Sequence, residues 1–186
     1  MGGGRRRRPD GSRLCSQSSR QKDHCGVRAP SVKIYVRNTT RRERLNLRAL
    51  KSEARKLLSS VVADPQTSLS LSLIGDAAMR RLNREYRGKD RPTDVLSFGV
   101  QQRGALQPRR GTGARERSLG DVVISVDTAR RQALGYGASL DEELRRLLIH
   151  GLLHLMGHDH ERPSQRARMR AEERRLAALI GLRWPY

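Results

Sequence analysis

The sequence predicts an α+β domain, a small mixed β-sheet packed by helices around one central helix. Three observations carry this. The apolar period switches between two and about 3.6 residues along the chain, in the order strand, helix, strand, helix, strand, strand, helix, helix, helix. The helix that follows residue 139 is apolar on most of its sides, which marks it as central. That helix also carries His150 and His154, four residues apart and therefore one turn apart on one face.

Residues 1–30 show no apolar periodicity. Gly2 to Gly4 precede Arg5 to Arg8, then Ser-rich and charged sequence, a composition that predicts a disordered basic extension. Residues 31–186 are the folded domain. Val32, Ile34 and Val36 alternate with Lys33, Tyr35 and Arg37, a half-buried strand. Asn46 is the expected cap of a helix with Leu47, Leu50, Ala54, Leu57, Leu58 and Val61 on one stripe, ended by Asp64-Pro65. Leu69, Leu71 and Leu73 alternate with serines, predicting a second strand with one solvated face. Asp76 is read as the cap of a short helix running to about Tyr86.

The charged turn 87–94 leads to a third strand, 95–98. Residues 101–118 are Gly-, Gln- and Arg-rich without pattern, an exposed loop. A fourth, mostly apolar strand covers 122–126, and Asp127 is read as the cap of a helix closed by Gly135 and Gly137. Ser139 and Glu142 have the S-x-x-E spacing of a capping box at the head of the central helix. Its apolar positions are Leu144, Leu147, Leu148, Leu152 and Leu155, with Ile149 and Leu153 beside them. A last helix opens at Pro163-Ser164, turns Met169, Leu176, Leu179 and Ile180 inward, and stops at Gly181. No internal repeat is present.

Net charge is +20 and the isoelectric point about 11.5. Thirteen Lys/Arg against three acids in residues 1–44, and twenty-six against sixteen in the rest, put +10 on each part, so the folded domain is basic in its own right. Such a field favours polyanions. Aromatics make up only 3% of the chain, which argues against base stacking as the main recognition device, and Trp184 is read as a core plug. No apolar run approaches the ~18 residues of a spanning helix, and no apolar segment follows the arginines as a secretory signal requires. Cys15 and Cys25, the only cysteines, form neither a disulfide framework nor a zinc knuckle and suit a reducing, cytosolic-type compartment.

Four of the five histidines fall within residues 150–160. Gly157 follows His154 within a turn, where a glycine takes the left-handed conformation that ends a helix and reverses the chain. His160 is thereby returned toward His150 and His154. Three neutral imidazoles with one position left open are a catalytic zinc pattern, and zinc lowers the pKa of a bound water to ~7. The spacing H-x3-H-x2-G-x2-H is shared with metzincin proteases, which carry Glu, their general base, directly after the first histidine. Here that residue is Gly151, which disfavours a protease.

The run His150-Gly151-x-Leu153-His154-Leu155-x-Gly157-x-Asp159-His160 resembles the signature of the YbeY family, single-strand-specific metallo-endoribonucleases of ribosomal RNA maturation. Residues 86–98 (YRGKDRPTDVLSF), 119–125 (LGDVVIS) and the terminal Pro185-Tyr186 are also family-like, and the likeness covers about 32–186. The chain departs from the family pattern at Gly99, where proline is usual, and at His158, where tyrosine is frequent. The first thirty residues have no counterpart in the family pattern. The resemblance implies a zincin-like fold, one zinc ion on His150, His154 and His160, and a functional arginine at Arg87, a planar fork suited to phosphate oxygens. It implies single-stranded and ribosomal RNA as substrate, in 16S rRNA 3′-end maturation and ribosome quality control. It also implies small-subunit proteins and an assembly GTPase as partners, and a cytoplasmic location without membrane contact. On this reading His158 stands outside the ligand set, and Asp159 either orients a histidine or caps the turn. Asp94 and Asp121, at strand ends, are expected to be structural. The competing reading is a zinc-stabilised RNA-binding ribosome assembly factor with little intrinsic catalysis.

Overall fold

The computed structural model describes residues 1–2, 32–40, 44–100 and 117–184. The expected extension over 1–30 (apart from its first two residues), the loop over 101–116, both cysteines and Pro185-Tyr186 lie outside the described residues. Residues 117–118, read as the end of that loop, belong instead to a strand.

The sheet consists of β1 (Lys33–Asn38), β2 (Thr67–Ile74), β3 (Val95–Gly99) and β4 (Arg117–Ser125). Their order is β1-β2-β4-β3. β1 and β4 each pair in parallel with β2, while β3 lies antiparallel to β4 on the edge. This is the mixed sheet the sequence predicts. The expectation of one solvated face on β2 needs correction: Ser68 is buried, and Ser70 and Ser72 are half-buried. β2 is an interior strand, so both its flanks carry ladder hydrogen bonds, and part of its serine face is covered.

Asn46 caps α1 (Leu47–Val61), its Oδ1 accepting the Ala49 amide at 3.0 Å. The buried side of α1 is Leu50, Ala54, Leu57 and Leu58, the predicted stripe. These side chains meet Leu69, Leu71 and Leu73 of β2, Val122 and Ile124 of β4, and the central helix α4 (Leu140–Leu155) in the main core. α2 (Asp76–Arg87) covers the opposite face. Its Met79 joins Ile74, Leu96, Phe98 and Val123, and the Tyr86 ring meets Phe98 edge-on with centroids 4.8 Å apart. The last helix, α5 (Pro163–Leu179), begins with proline at its first turn as expected. It buries Met169, Glu173, Leu176 and Ala177, whereas Leu179, expected inward, is 48% exposed. Among the described residues no helix is long and apolar enough to cross a membrane.

Neither predicted Asp caps its own helix. α2 starts after Gly75, which offers no side chain, and it is Asp127 Oδ2 that accepts the Asp76 amide at 2.9 Å. α3 (Val126–Tyr136) starts after Ser125, whose hydroxyl accepts the Thr128 amide. Asp76 in turn accepts the Ser125 and Thr128 hydroxyls and pairs with Arg131 at 2.8 Å. Each acid therefore serves the other's helix, pinning α2 to α3 across residues about fifty apart. Burial pushes the Asp76 carboxyl up, but the hydrogen bonds from Ser125, Thr128 and Arg131, with the Arg131 charge, outweigh it and hold the group below its ordinary value.

A carboxyl with a lowered folded pKa stabilises the fold above its unfolded value, near pH 4, and the gain is lost as pH falls through the folded value. Asp76→Asn should therefore cost about 1–3 kcal/mol near pH 7. In chemical denaturation the gap between wild type and variant should close progressively below about pH 4; a gap that stays constant through that range would show that the Asp76 charge is not the stabilising element.

Candidate metal centre

α4 is built to be held still. Ser139 accepts the Glu142 amide, and Glu142 accepts the Ser139 amide at 2.8 Å, completing the predicted capping box. Three acids in its first turn complement the positive end of the helix. Leu144, Leu148, Ile149, Leu152 and Leu153 are 0–1% exposed. The far end closes as a Schellman turn: Gly157 has φ 85°, its amide donates to His154 O at 3.0 Å, and the His158 amide donates to Leu153 O at 3.0 Å.

This turn delivers the third histidine. Ring nitrogens of His150, His154 and His160 that could hold a metal ion all lie within 4.8 Å of one another, the one such group among the described residues. His150 Nε2 and His154 Nε2 are 3.1 Å apart. Two nitrogens bound tetrahedrally to zinc at ~2.0–2.1 Å stand roughly 3.3 Å apart, so this pair already has the spacing of a shared ion. The imidazole rings cluster, with centroids 4.7–5.6 Å apart. Burial pushes His154 below its ordinary pKa, and the neighbouring His150 and His160 push it the same way. Asp159 and a hydrogen bond with the His158 backbone oppose them without reversing the sign. The neutral imidazole so favoured is the form that binds a metal. The donor set therefore fits zinc.

His158 is not part of the group. Of the two roles open for Asp159, the turn cap is the one seen: its Oδ1 accepts the His160 amide at 2.7 Å.

Glu173, on α5, is the site residue that sequence reasoning missed. Its Oε1 lies 2.8 Å from His150 Nδ1, and the residue is 7% exposed. An ionised carboxylate can only accept, so the Nδ1 proton belongs to His150 and Nε2 is left bare toward the other histidines. A signal was present: Met169, Glu173 and Leu176 fall at i, i+4 and i+7, which places an acid on the apolar stripe of α5. A second missed pair lies on α4 itself, where buried Arg146 bonds buried Glu143 at 3.0 Å, one turn before His150.

Gly151 has a packing cause as well as a chemical consequence. A Cβ there would meet Val122 Cγ1 at 2.8 Å, Ser97 Oγ at 3.0 Å and Val95 Cγ2 at 3.2 Å. The Ser97 hydroxyl donates to Gly151 O at 2.9 Å. The helix lies directly on β3 and β4 at this residue, so the position of the protease base has no room for any side chain.

Arg87 ends α2, and Gly88, at φ 67°, turns the chain there. Arg87 is exposed and lines a cleft of about 340 Å³ with Lys89, Arg91, Asp94 and Gln132. Arg80 and Arg84 are paired with Asp90, and of the four arginines of α2 it is Arg87 that lines this cleft. His150 lines a second, adjoining cleft, and the two share Asp94 and Gln132. The histidines are brought together, whereas Arg87 stands across that partition. Asp94 has the structural role expected, accepting from Thr93, its neighbour's amide at Val95, and Gln132.

The family pattern described as endoribonuclease YbeY matches residues 35–181. A protein named endoribonuclease YbeY from Myxococcus xanthus is 54% identical over 116 residues, 61% of this chain but 37% of that protein. The protein of that name from Moorella thermoacetica is 47% identical over 118 residues, 63% of this chain and 76% of its own length. That from Geobacter metallireducens is 40% identical over 153 residues, 80% and 96% of the two chains. The solution structure of TM1509 from Thermotoga maritima is similar in fold, with a TM-score of 0.51 at 22% identity over 79% of this chain and 88% of that one.

Two variants test the centre. Glu173→Gln should weaken zinc binding about 10- to 100-fold, read by competition with a chromogenic chelator, with little change in the melting of the metal-free protein; unchanged affinity would remove Glu173 from the site. Gly151→Ala should lower stability by about 1–2 kcal/mol, since overpacking against Val122 exceeds the helix-propensity gain of ~1 kcal/mol. A more stable Gly151→Ala protein would contradict the close contact.

Proposed function

The chain belongs to the endoribonuclease YbeY family, and from that membership we propose a zinc-dependent endoribonuclease that cuts single-stranded RNA. The observation that carries the reading is the convergence of three histidine nitrogens with no fourth His, Cys, Asp or Glu among the described residues. Structural zinc sites use four protein ligands, and catalytic ones keep a position open. The reading of a zinc-stabilised assembly factor needs a fourth ligand, and Asp159, one candidate, has its Oδ1 on the His160 amide.

His150, His154 and His160 would hold the ion. When bound there, zinc supplies a Lewis acid and brings the pKa of water to ~7. The chain's own residues do the rest. Glu173 keeps the proton on His150 Nδ1. Arg87 offers two parallel N–H donors to a phosphate oxygen pair and stays charged throughout. Lys89 and Arg91, in the same cleft, follow the backbone as point charges. Gly151 provides no protonatable group, which fits phosphodiester cleavage better than peptide cleavage.

The same reading assigns ribosomal RNA as the substrate, in 16S rRNA 3′-end maturation and ribosome quality control. Small-subunit proteins and an assembly GTPase are the partners, in the cytoplasm. The +20 charge supports a ribosomal RNA target.

His154→Ala should lose both zinc and RNA cleavage. Arg87→Ala should retain stoichiometric zinc while cleavage falls about 10²-fold or more. Metal analysis beside a gel assay on single-stranded RNA reads both. Full cleavage by a His154→Ala protein verified to be metal-free would sink the assignment.

A further inference from the structure

The cleft beside His150 extends away from the three histidines, and most of its lining has no part in holding a metal. It encloses about 250 Å³ and is lined by Asp94, Gln132, Tyr136, Arg146, His150 and Trp184. Ligand pockets for drug-sized molecules run ~300–1,000 Å³, so this space suits one planar ring system. Two of its walls are aromatic. Trp184 packs on the main core and also faces the cleft, and Tyr136 is 55% exposed. The Arg146 side chain is 9% exposed, and its Nε has no hydrogen-bond partner.

Charge separates this cleft from its neighbour. Asp94, Glu143 and Glu173 line it against the single guanidinium of Arg146, a poor place for a phosphate. Across Asp94 and Gln132, Arg87, Lys89 and Arg91 make the adjoining cleft strongly cationic. A nucleotide has the matching polarity: an anionic sugar-phosphate and a neutral, flat base with hydrogen-bond donors and acceptors on its edge.

We propose that the cleft lined by Trp184, Tyr136 and Arg146 is a nucleobase-binding subsite, taking one unpaired base of the RNA while its phosphates lie in the Arg87 cleft. The subsite rests on the ribonuclease reading and gives it a physical basis for single-strand preference. A base inside the cleft is unavailable for pairing, so a duplex must open before it can engage. Stacking is sequence-tolerant, because every base has a π-face.

Trp184 is the chain's only tryptophan, so its fluorescence reports on this cleft alone. The full zinc-loaded protein is titrated with cytidine, with adenosine and, separately, with ribose 5-phosphate, with cleavage of single-stranded RNA measured in parallel. Both nucleosides should quench Trp184 saturably, and ribose 5-phosphate should not. Tyr136→Ala, at a position 55% exposed, should weaken nucleoside binding about tenfold while the melting temperature shows that the protein is folded. Absence of saturable quenching, equal quenching by ribose 5-phosphate, or unchanged affinity in Tyr136→Ala would each overturn the subsite. If cleavage persists while quenching fails, the subsite falls and the ribonuclease stands. If quenching occurs without cleavage, the ribonuclease reading falls instead.

Discussion

A close approach of helix to sheet governs the rest. At Gly151 the helix α4 rests directly on β3 and β4, with Ser97 bonded to its carbonyl and Val122 and Val95 filling the space of an absent Cβ. His150 and His154, on α4, lie on either side of this contact in the chain. Because the backbone between them cannot lift or roll without losing the sheet, the two imidazoles are fixed relative to the core and not merely to each other. Such preorganisation is what a metal centre requires, since ligands that must be ordered on binding weaken it. The same contact removes a side chain from the position where a protease of this spacing carries its base. One steric fact thus serves both architecture and choice of chemistry.

Around that fixed helix the remaining parts are attached by polar groups with directional demands. The Schellman turn at Gly157 brings His160 back, and Asp159 holds the turn through the His160 amide. α5 contributes Glu173 to His150, so the docking of the last helix decides which nitrogen of that ring is bare. Asp76 and Asp127 bind α2 to α3: Asp127 accepts the first amide of α2, and Asp76 accepts the Ser125 and Thr128 hydroxyls at the head of α3. That link fixes the start of α2, the helix whose far end carries Arg87 and leads into the basic turn. The large positive charge is not spread evenly in effect: Asp90 occupies Arg80 and Arg84, while Arg87, Lys89 and Arg91 line one cleft.

Much of this was legible in the sequence, for identifiable reasons. The capping box, the Asn46 cap, the stripe of α1 and the glycine after His154 are local signals, and local signals survive into the structure unchanged. The histidine triad was legible because two ligands follow helical spacing and the third needs only one turn. What could not be read depends on contacts between distant segments. The Asp76 and Asp127 caps were assigned to their own helices because sequence proximity is the only guide before the helices meet. The serines of β2 looked solvated because alternation reveals two faces but not that the strand is interior. Glu173 sits on a stripe otherwise apolar, and its purpose appears only when α5 lies beside α4. Trp184 was read as a plug, which is half of its role; its other side faces a cleft that only the fold creates.

The central claim is that α4 and the turn after it present three imidazole nitrogens to one zinc ion and leave a coordination position open. X-ray absorption spectroscopy of the zinc-loaded protein at neutral pH measures this directly. The account predicts a first shell of three imidazole nitrogens and a light-atom ligand that exchanges for an added anion, with the spectrum changing on exchange. A shell of four protein ligands that does not change with added anion, His158 or Asp159 supplying the fourth, would contradict it and make the metal structural.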